Sequence, residues 1–190
     1  MSTLHVENLK GPTSGTNANK IIVPSGQTLL SGIVQTAYAE LNTKQVIGSN
    51  GTWTDVLTIS ITPKSTNSKF ILCPSINVGV GYFTMGIRLL RDGTAFAIGD
   101  STDASSRVRS TMTWNGHFSG STTGTNVHQQ VSLAGSFESL ASASDTTTAI
   151  VFKAQAYAYS SGVINASQSD SNDGARHRAV SSMVAYEVMK

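Results

Sequence analysis

Thr54-Asp55-Val56-Leu57-Thr58-Ile59-Ser60-Ile61-Thr62 decides the fold. Leu57, Ile59 and Ile61 alternate with Val56, Thr58, Ser60 and Thr62. A period of two puts one set of side chains on each face of a strand. The polar tract Pro63-Lys64-Ser65-Thr66-Asn67-Ser68-Lys69 then breaks the chain, and a second apolar run opens at Phe70-Ile71-Leu72 and extends to Val80. Two strand-like runs joined by a turn-forming cluster predict an antiparallel β protein.

The pattern continues towards the C-terminus. Asp92-Gly93 separates Met85–Arg91 from Thr94–Ile98, and Asp-Gly suits a two-residue hairpin whose central residues both need positive φ. Arg107–Trp114 places Val108, Ser110, Met112 and Trp114 on one face, and Val127–Leu133 does the same with Val127, Gln129, Val131 and Leu133. Gly116–Asn126 and Ser142–Thr146 read as a loop and a turn. Ala149–Tyr159 is the longest strand candidate, with Ile150, Phe152, Ala154, Ala156 and Ala158 on one face and Val151, Lys153, Gln155, Tyr157 and Tyr159 on the other. A polar loop over Ser160–Ala175 precedes a last strand, Ser181–Met189, with Val184, Tyr186 and Val188 inward. Residues 29–41 fit both a helical stripe (Leu30, Ile33, Val34, Ala37, Tyr38, Leu41) and a β-branched strand; Gly32 weakens a helix, so a strand is the preferred reading. About eight closely spaced strands without an intervening helix predict an antiparallel, jelly-roll-like β-sandwich.

The chain has 190 residues and a formal net charge of +2, with 13% charged residues. That fraction is about half the usual level. No Lys/Arg stripe marks a nucleic-acid surface, and no apolar run is long enough for a membrane-spanning helix. The opening Met1–Glu7 lacks the pattern of a signal peptide. Cys73 is the single cysteine, so no internal disulfide forms, and a buried, inert thiol is expected. Sheet edges of monomeric β proteins are guarded by Lys, Glu or Pro. Few such guards stand here, which points to coverage by copies of the same chain. Residues 1–30 are a turn-rich segment read as an N-terminal arm, and residues 31–190 as the β domain.

Candidate sites are sparse. Asp170-Ser171-Asn172-Asp173-Gly174 clusters oxygen ligands of the kind calcium uses, but without EF-hand spacing, so an ordinary polar loop is preferred. Arg176-His177-Arg178 beside it fits a loop-to-strand ion pair, a subunit contact or a ligand contact. Trp53, Tyr157 and Tyr159 offer rings for a carbohydrate platform or for simple packing. Asn165-Ala166-Ser167 matches a glycosylation acceptor. Gly79-Val80-Gly81 lacks the helix that a phosphate loop needs. The four histidines, His5, His117, His128 and His177, show no zinc-site spacing. With no nucleophile, base or metal set to position, the chain is expected not to be an enzyme and to use no cofactor.

Several blocks in order carry a family resemblance. They are Met1–Leu9, Gly11-Pro12-Thr13-Ser14-Gly15, Lys20–Leu29, Val34-Gln35-Thr36, Leu57–Lys69, Arg88–Thr94 with Ile98-Gly99-Asp100, Ser106-Arg107, and Arg178–Glu187. Together they resemble tail-fibre-type virion proteins of marine bacteriophages, cyanophages included. The resemblance implies a homotrimeric, jelly-roll-like module similar in shape to the complement C1q and tumour-necrosis-factor heads. It implies docking to other virion proteins through residues 1–30, an exterior position on tail or capsid, and outward loops for contact with a host receptor or surface polysaccharide. Ser160–Ala175 and Gly116–Asn126 are the loops that reading singles out. The chain is short for a tail fibre and shows no long shaft, which keeps capsid decoration open as the alternative, beside a lectin-like module.

Overall fold

A computed structural model describes residues 14–15, 32–48, 51–80, 84–100, 108–115, 130–139, 147–159, 161–167 and 177–188. By its contacts the chain divides into a unit of residues 1–31 and a unit of residues 32–190. In the first, Ser14 and Gly15 form a bend. The architecture below is that of the second.

All regular structure among the described residues is β. The strands are β1 (Ile33–Leu41), β2 (Gln45–Ile47), β3 (Thr54–Ile61), β4 (Lys69–Val80), β5 (Thr84–Arg91), β6 (Thr94–Phe96), β7 (Met112–Asn115), β8 (Gln130–Ala134), β9 (Phe137–Ser139), β10 (Ile150–Ala158), β11 (Gly162–Ile164) and β12 (Ser181–Val188). The twelve segments line up into fewer lanes. In the first sheet β4 pairs with β12 and β11 along one side and with β9 and β8 along the other, while β1 and β2 border β12 and β11. That is four lanes: β1/β2, β12/β11, β4 and β9/β8. The second sheet runs β3–β10–β5, with β6 and β7 sharing the last lane. Every pairing is antiparallel.

Alternation explains the core. Leu57, Ile59 and Ile61 of β3, and Ile150, Phe152, Ala154, Ala156 and Ala158 of β10, all point inward and are buried. They meet Phe70, Leu72, Ile76 and Val78 of β4 and Met183 and Ala185 of β12 in one apolar cluster. Phe152 lies 5.3 Å from Phe70 and 6.4 Å from Phe96, centroid to centroid, in tilted and edge-on geometry. The small alanines of β10 sit between larger aliphatic partners, Ala154 between Leu57 and Leu89 and Ala156 beside Ile87. Asp92 and Gly93 have φ of 48° and 82°, the hairpin geometry that Asp-Gly favours. Residues 33–41 are a strand. Gly79 passes so close to the next segment that a Cβ there would lie 2.0 Å from the Ala166 carbonyl oxygen.

The β9/β8 lane divides at Gly135-Ser136 without changing register, opposite Cys73-Pro74. Pro74 has no N–H to donate, so the ladder keeps only the bond from the Gly135 N–H to the Pro74 carbonyl there, at 3.3 Å. Cys73 points away from the core and is half-buried, 3.5 Å from the Ser136 hydroxyl, not buried as expected.

Other sequence expectations are also corrected. Val184, Tyr186 and Val188 do not face inward: Ser181, Met183, Ala185 and Glu187 do. Strand β12 has apolar residues on both faces, so alternation alone could not choose between them. The deciding residue is Glu187, fully enclosed beneath the turn that joins β3 to β4. Its carboxylate accepts hydrogen bonds from the Lys64 N–H at 2.7 Å, the Ser65 N–H at 3.3 Å and the Gln35 amide at 2.5 Å. Burial pushes its pKa up, but the donors around it, from Ser68, Lys64, Gln35 and Ser65, pull it below the usual value. The buried Ser68 hydroxyl is in hydrogen-bonding geometry with no partner, so the two backbone N–H groups and the Gln35 amide carry the effect.

Residues Ser160–Ala175 are not simply a polar loop. Gly162, Val163 and Ile164 are buried as β11 between β4 and β2, and Asn165, Ala166 and Ser167 are buried after them. Asn165 has φ of 64°. Its side-chain amide donates to the Leu41 carbonyl at 2.5 Å and the Thr43 carbonyl at 3.1 Å, and its oxygen accepts from Ser181 Oγ at 2.6 Å. The Ser181 hydroxyl in turn accepts from the Asn77 N–H. Asn165 is thus a hub that ties β1, β4, β11 and β12 together, and its amide is closed to glycosylation. The strand expected over Arg107–Trp114 begins at Met112, with Val108 exposed outside it, and that expected over Val127–Leu133 is β8. Residues 127–129 and 107 lie outside the described residues, as do the loop 116–126 and the turn 142–146.

Candidate functional site

The outward face of the second sheet carries a connected polar and aromatic cluster, and its origin is local. Between β3 and β10 the register slips: Leu57 pairs with Ala154, but Asp55, not Val56, pairs with Gln155. The extra residue is a β-bulge, which re-aims the side chain that follows it. Val56 and Leu57 are both buried, contrary to simple alternation, and Asp55 turns outward beside Gln155. Arg88 of β5 sits directly opposite Gln155 on the other side.

These residues bond in sequence. Lys153 Nζ donates to Asp55 Oδ2 at 2.5 Å, Gln155 Nε2 donates to Asp55 Oδ1 at 2.5 Å, and Arg88 Nε donates to Gln155 Oε1 at 2.8 Å. The Arg88 guanidinium lies 4.4 Å above the centre of the Trp53 ring, a cation–π arrangement. Trp53 reaches this place from the segment before β3. Gly86 makes room: a Cβ there would meet Ser110 Oγ at 2.2 Å and the Trp53 ring at 3.6 Å. The Tyr157 ring lies 5.4 Å from that of Trp53, inclined at 49°. Gly51, at φ 79°, borders the Tyr157 hydroxyl without a side chain to cover it. The hydrogen bonds from Lys153 and Gln155 hold the Asp55 carboxyl below its usual pKa, and partial burial lowers that of Arg88.

Of the residues proposed from sequence, the structure brings Trp53 and Tyr157 together, both half-buried and not fully exposed as a platform would be. Tyr159 continues the outward file of β10 and is 62% exposed. His177 and Arg178 are exposed on the segment leading into β12, in the other sheet. Asp170, Asp173 and Arg176 lie outside the described residues, as does the proposed calcium loop. Sequence reading missed Arg88, Asp55, Gln155 and Lys153 as a group. The outward file Lys153-Gln155-Tyr157 was visible, but its neighbours on β3 and β5 depend on strand order and on the bulge.

The outer face of the first sheet is different in kind. Across β1, β12 and β4 the register brings Tyr38, Val184 and Cys73 into one row and Thr36, Tyr186 and Ile71 into the next. Tyr38 is 59% exposed, and Ile33 and Val46 on the same edge lane are 51% and 63% exposed. Nearby, Lys69 forms an ion pair with Glu138, and the Tyr38 hydroxyl donates to the Glu40 carboxylate at 2.7 Å. Among the described residues, no three His, Cys, Asp or Glu side chains converge as a metal site. Compared with known proteins, the chain matches no family model and no curated protein sequence.

Proposed function

We propose that this chain is a non-enzymatic structural module of a bacteriophage virion, of the tail-fibre type, built as a jelly roll and assembled as a homotrimer. Lane order supports the jelly roll. With the lanes numbered along the chain, first pairs with eighth, second with seventh, third with sixth and fourth with fifth. This is the nested pairing of a long hairpin rolled into two sheets. The virion assignment rests on the sequence resemblance, including docking through residues 1–30.

The observation that carries the assembly reading is the double-sided strand β12. Met183 and Ala185 fill the core while Val184, Tyr186 and Val188 lie half-exposed on the opposite face, next to Ile71, Cys73 and Tyr38. Strands that are apolar on both faces are those covered on both faces. The exposed apolar edge of β1 and β2 adjoins that face with a single charged residue, Glu40, bound by Tyr38, and without a Lys or Pro in either strand to block pairing. A second copy of the same chain satisfies both.

Light scattering tests this. The expected mass is near three times 19.9 kDa, and Tyr38→Glu combined with Val184→Asp yields a folded monomer. A wild-type monomer at micromolar concentration refutes the assembly. Labelling on intact particles tests the placement: signal at the tail, with antiserum blocking adsorption, supports attachment, whereas signal confined to the head with adsorption unaffected replaces it with capsid decoration.

A further inference from the structure

The aromatic and polar cluster lies on the reverse of the face assigned above to subunit contact, so assembly of that kind leaves it open. Within it Arg88 is the unusual member. Its Nε–H is committed to Gln155 and its plane is laid on Trp53. Among the described residues nothing accepts from its two terminal nitrogens. The nearest carboxylate is already occupied, since Asp55 takes Lys153 on one oxygen and Gln155 on the other. The cluster therefore sets two cations, Lys153 and Arg88, against the one carboxylate of Asp55, and it fixes Arg88 in orientation with both terminal nitrogens unused.

We propose that Arg88, Trp53 and Tyr157 form a binding site for an acidic sugar residue, a uronic acid within a polysaccharide chain. A guanidinium fork held flat suits a carboxylate, which it engages through two parallel hydrogen bonds. Aromatic side chains suit a ring that is apolar on its C–H face and polar at its rim. Tyr157 provides such a ring next to Trp53, on which the fork is laid, and the glycine at position 51 puts no side chain over its hydroxyl edge. The cluster's net charge, two cations against one carboxylate, matches a single added carboxylate. Asp55, Gln155 and Lys153 are positioning residues: they orient Arg88 and stand at the rim, where sugar hydroxyls exchange hydrogen bonds with them. The inference deepens the attachment role proposed above by naming what the module holds.

The test uses the full chain and isothermal titration with tetragalacturonate, its methyl ester and maltotetraose. Saturable binding of the acid is expected, weakening with added salt, with the ester and the neutral tetrasaccharide at least about tenfold weaker, the factor expected for loss of a charge-assisted hydrogen bond. Arg88→Gln reduces acid binding by about the same factor, and Trp53→Ala reduces it further. Each variant is checked by thermal melt. If Trp53→Ala does not fold, Arg88→Gln decides. No saturable binding of the acid at millimolar concentration overturns the proposal, as does equal binding of acid and ester or an Arg88→Gln variant that binds like wild type. Light scattering on the same samples separates the readings: a monomer that binds the acid keeps this inference and removes the trimer, and a trimer that ignores it does the reverse.

Discussion

Replacing Glu187 by Gln tests the account of how the β3–β4 turn is held. The glutamate is fully enclosed, and its oxygens take two backbone N–H groups and the Gln35 amide at 2.5–3.3 Å. Hydrogen bonds to a charged acceptor contribute about 1.5–3 kcal/mol each against about 0.5–1.5 for neutral pairs, so three of them lose roughly 3 kcal/mol on neutralisation. The relief of carboxylate burial offsets part of that, leaving a net loss of about 2 kcal/mol at neutral pH. For a module of this size that corresponds to a drop in melting temperature of about 4–8 °C. The pH dependence adds a second signature. The folded-state pKa of Glu187 is depressed, so its stabilisation is fully present above the unfolded value of about 4.3 and disappears as pH falls through the folded value. Thermal melts followed by circular dichroism from neutral to strongly acid pH should therefore show wild type losing its advantage over Glu187→Gln below about pH 4. Equal stability at neutral pH, or a gap that persists undiminished in acid, refutes the reasoning.

Three other perturbations probe separate parts of the fold. Gly79→Ala forces a methyl group to within 2.0 Å of the Ala166 carbonyl oxygen, and a backbone atom cannot rotate aside, so denaturant melts should register a loss of about 3 kcal/mol. Asn165→Ala removes three hydrogen bonds and leaves a residue at φ 64°, for an expected cost of about 3 kcal/mol, while wild type made in a glycosylating host should show no added glycan by mass spectrometry. Deleting residues 1–28 should leave the melting temperature of the β unit unchanged but abolish incorporation into particles; loss of folding would assign that segment to the core.

What the sequence disclosed depended on how many faces a strand buries against its own chain. Strand β10 was legible, both faces included, because one file is Ile150, Phe152 and alanines while the other holds Lys153 and Gln155. Strand β12 was legible as a strand and not as a face, because Val184 and Tyr186 outweigh Met183 and Ala185 in any count of apolar side chains, and Glu187 inside is a polar exception whose partners lie on a distant turn. Strand β11 was illegible: Gly162, Val163 and Ile164 are too few to show a period, and the buried polar run Asn165–Ser167 looks like a loop until its partners at Leu41, Thr43 and Ser181 are seen. The aromatic members of the candidate site were singled out by chemistry alone. Its cation and carboxylate were not, because a one-residue bulge at Val56 decides whether Asp55 faces the core or solvent.

The outward facing of Val184, Tyr186 and Val188 bears more on assembly than on the fold. Had Val184, Tyr186 and Val188 faced inward, the outer surface of the first sheet would carry Ser181, Met183, Ala185 and Glu187, and the scarcity of charge would be the main hint of a partner. With those residues outward, the surface itself is an apolar row in register with Tyr38, Cys73 and Ile71. An apolar face joined to an edge with Glu40 as its one charge is a liability for a solitary β module. The opposite sheet shows the contrary economy, its outward residues linked into a hydrogen-bonded chain that shields Trp53 under Arg88. On the proposed reading one face meets copies of the same chain and the other a charged, hydroxyl-rich surface, an arrangement that suits repeated weak attachment, because each contact made from one assembled particle raises the effective concentration of the next.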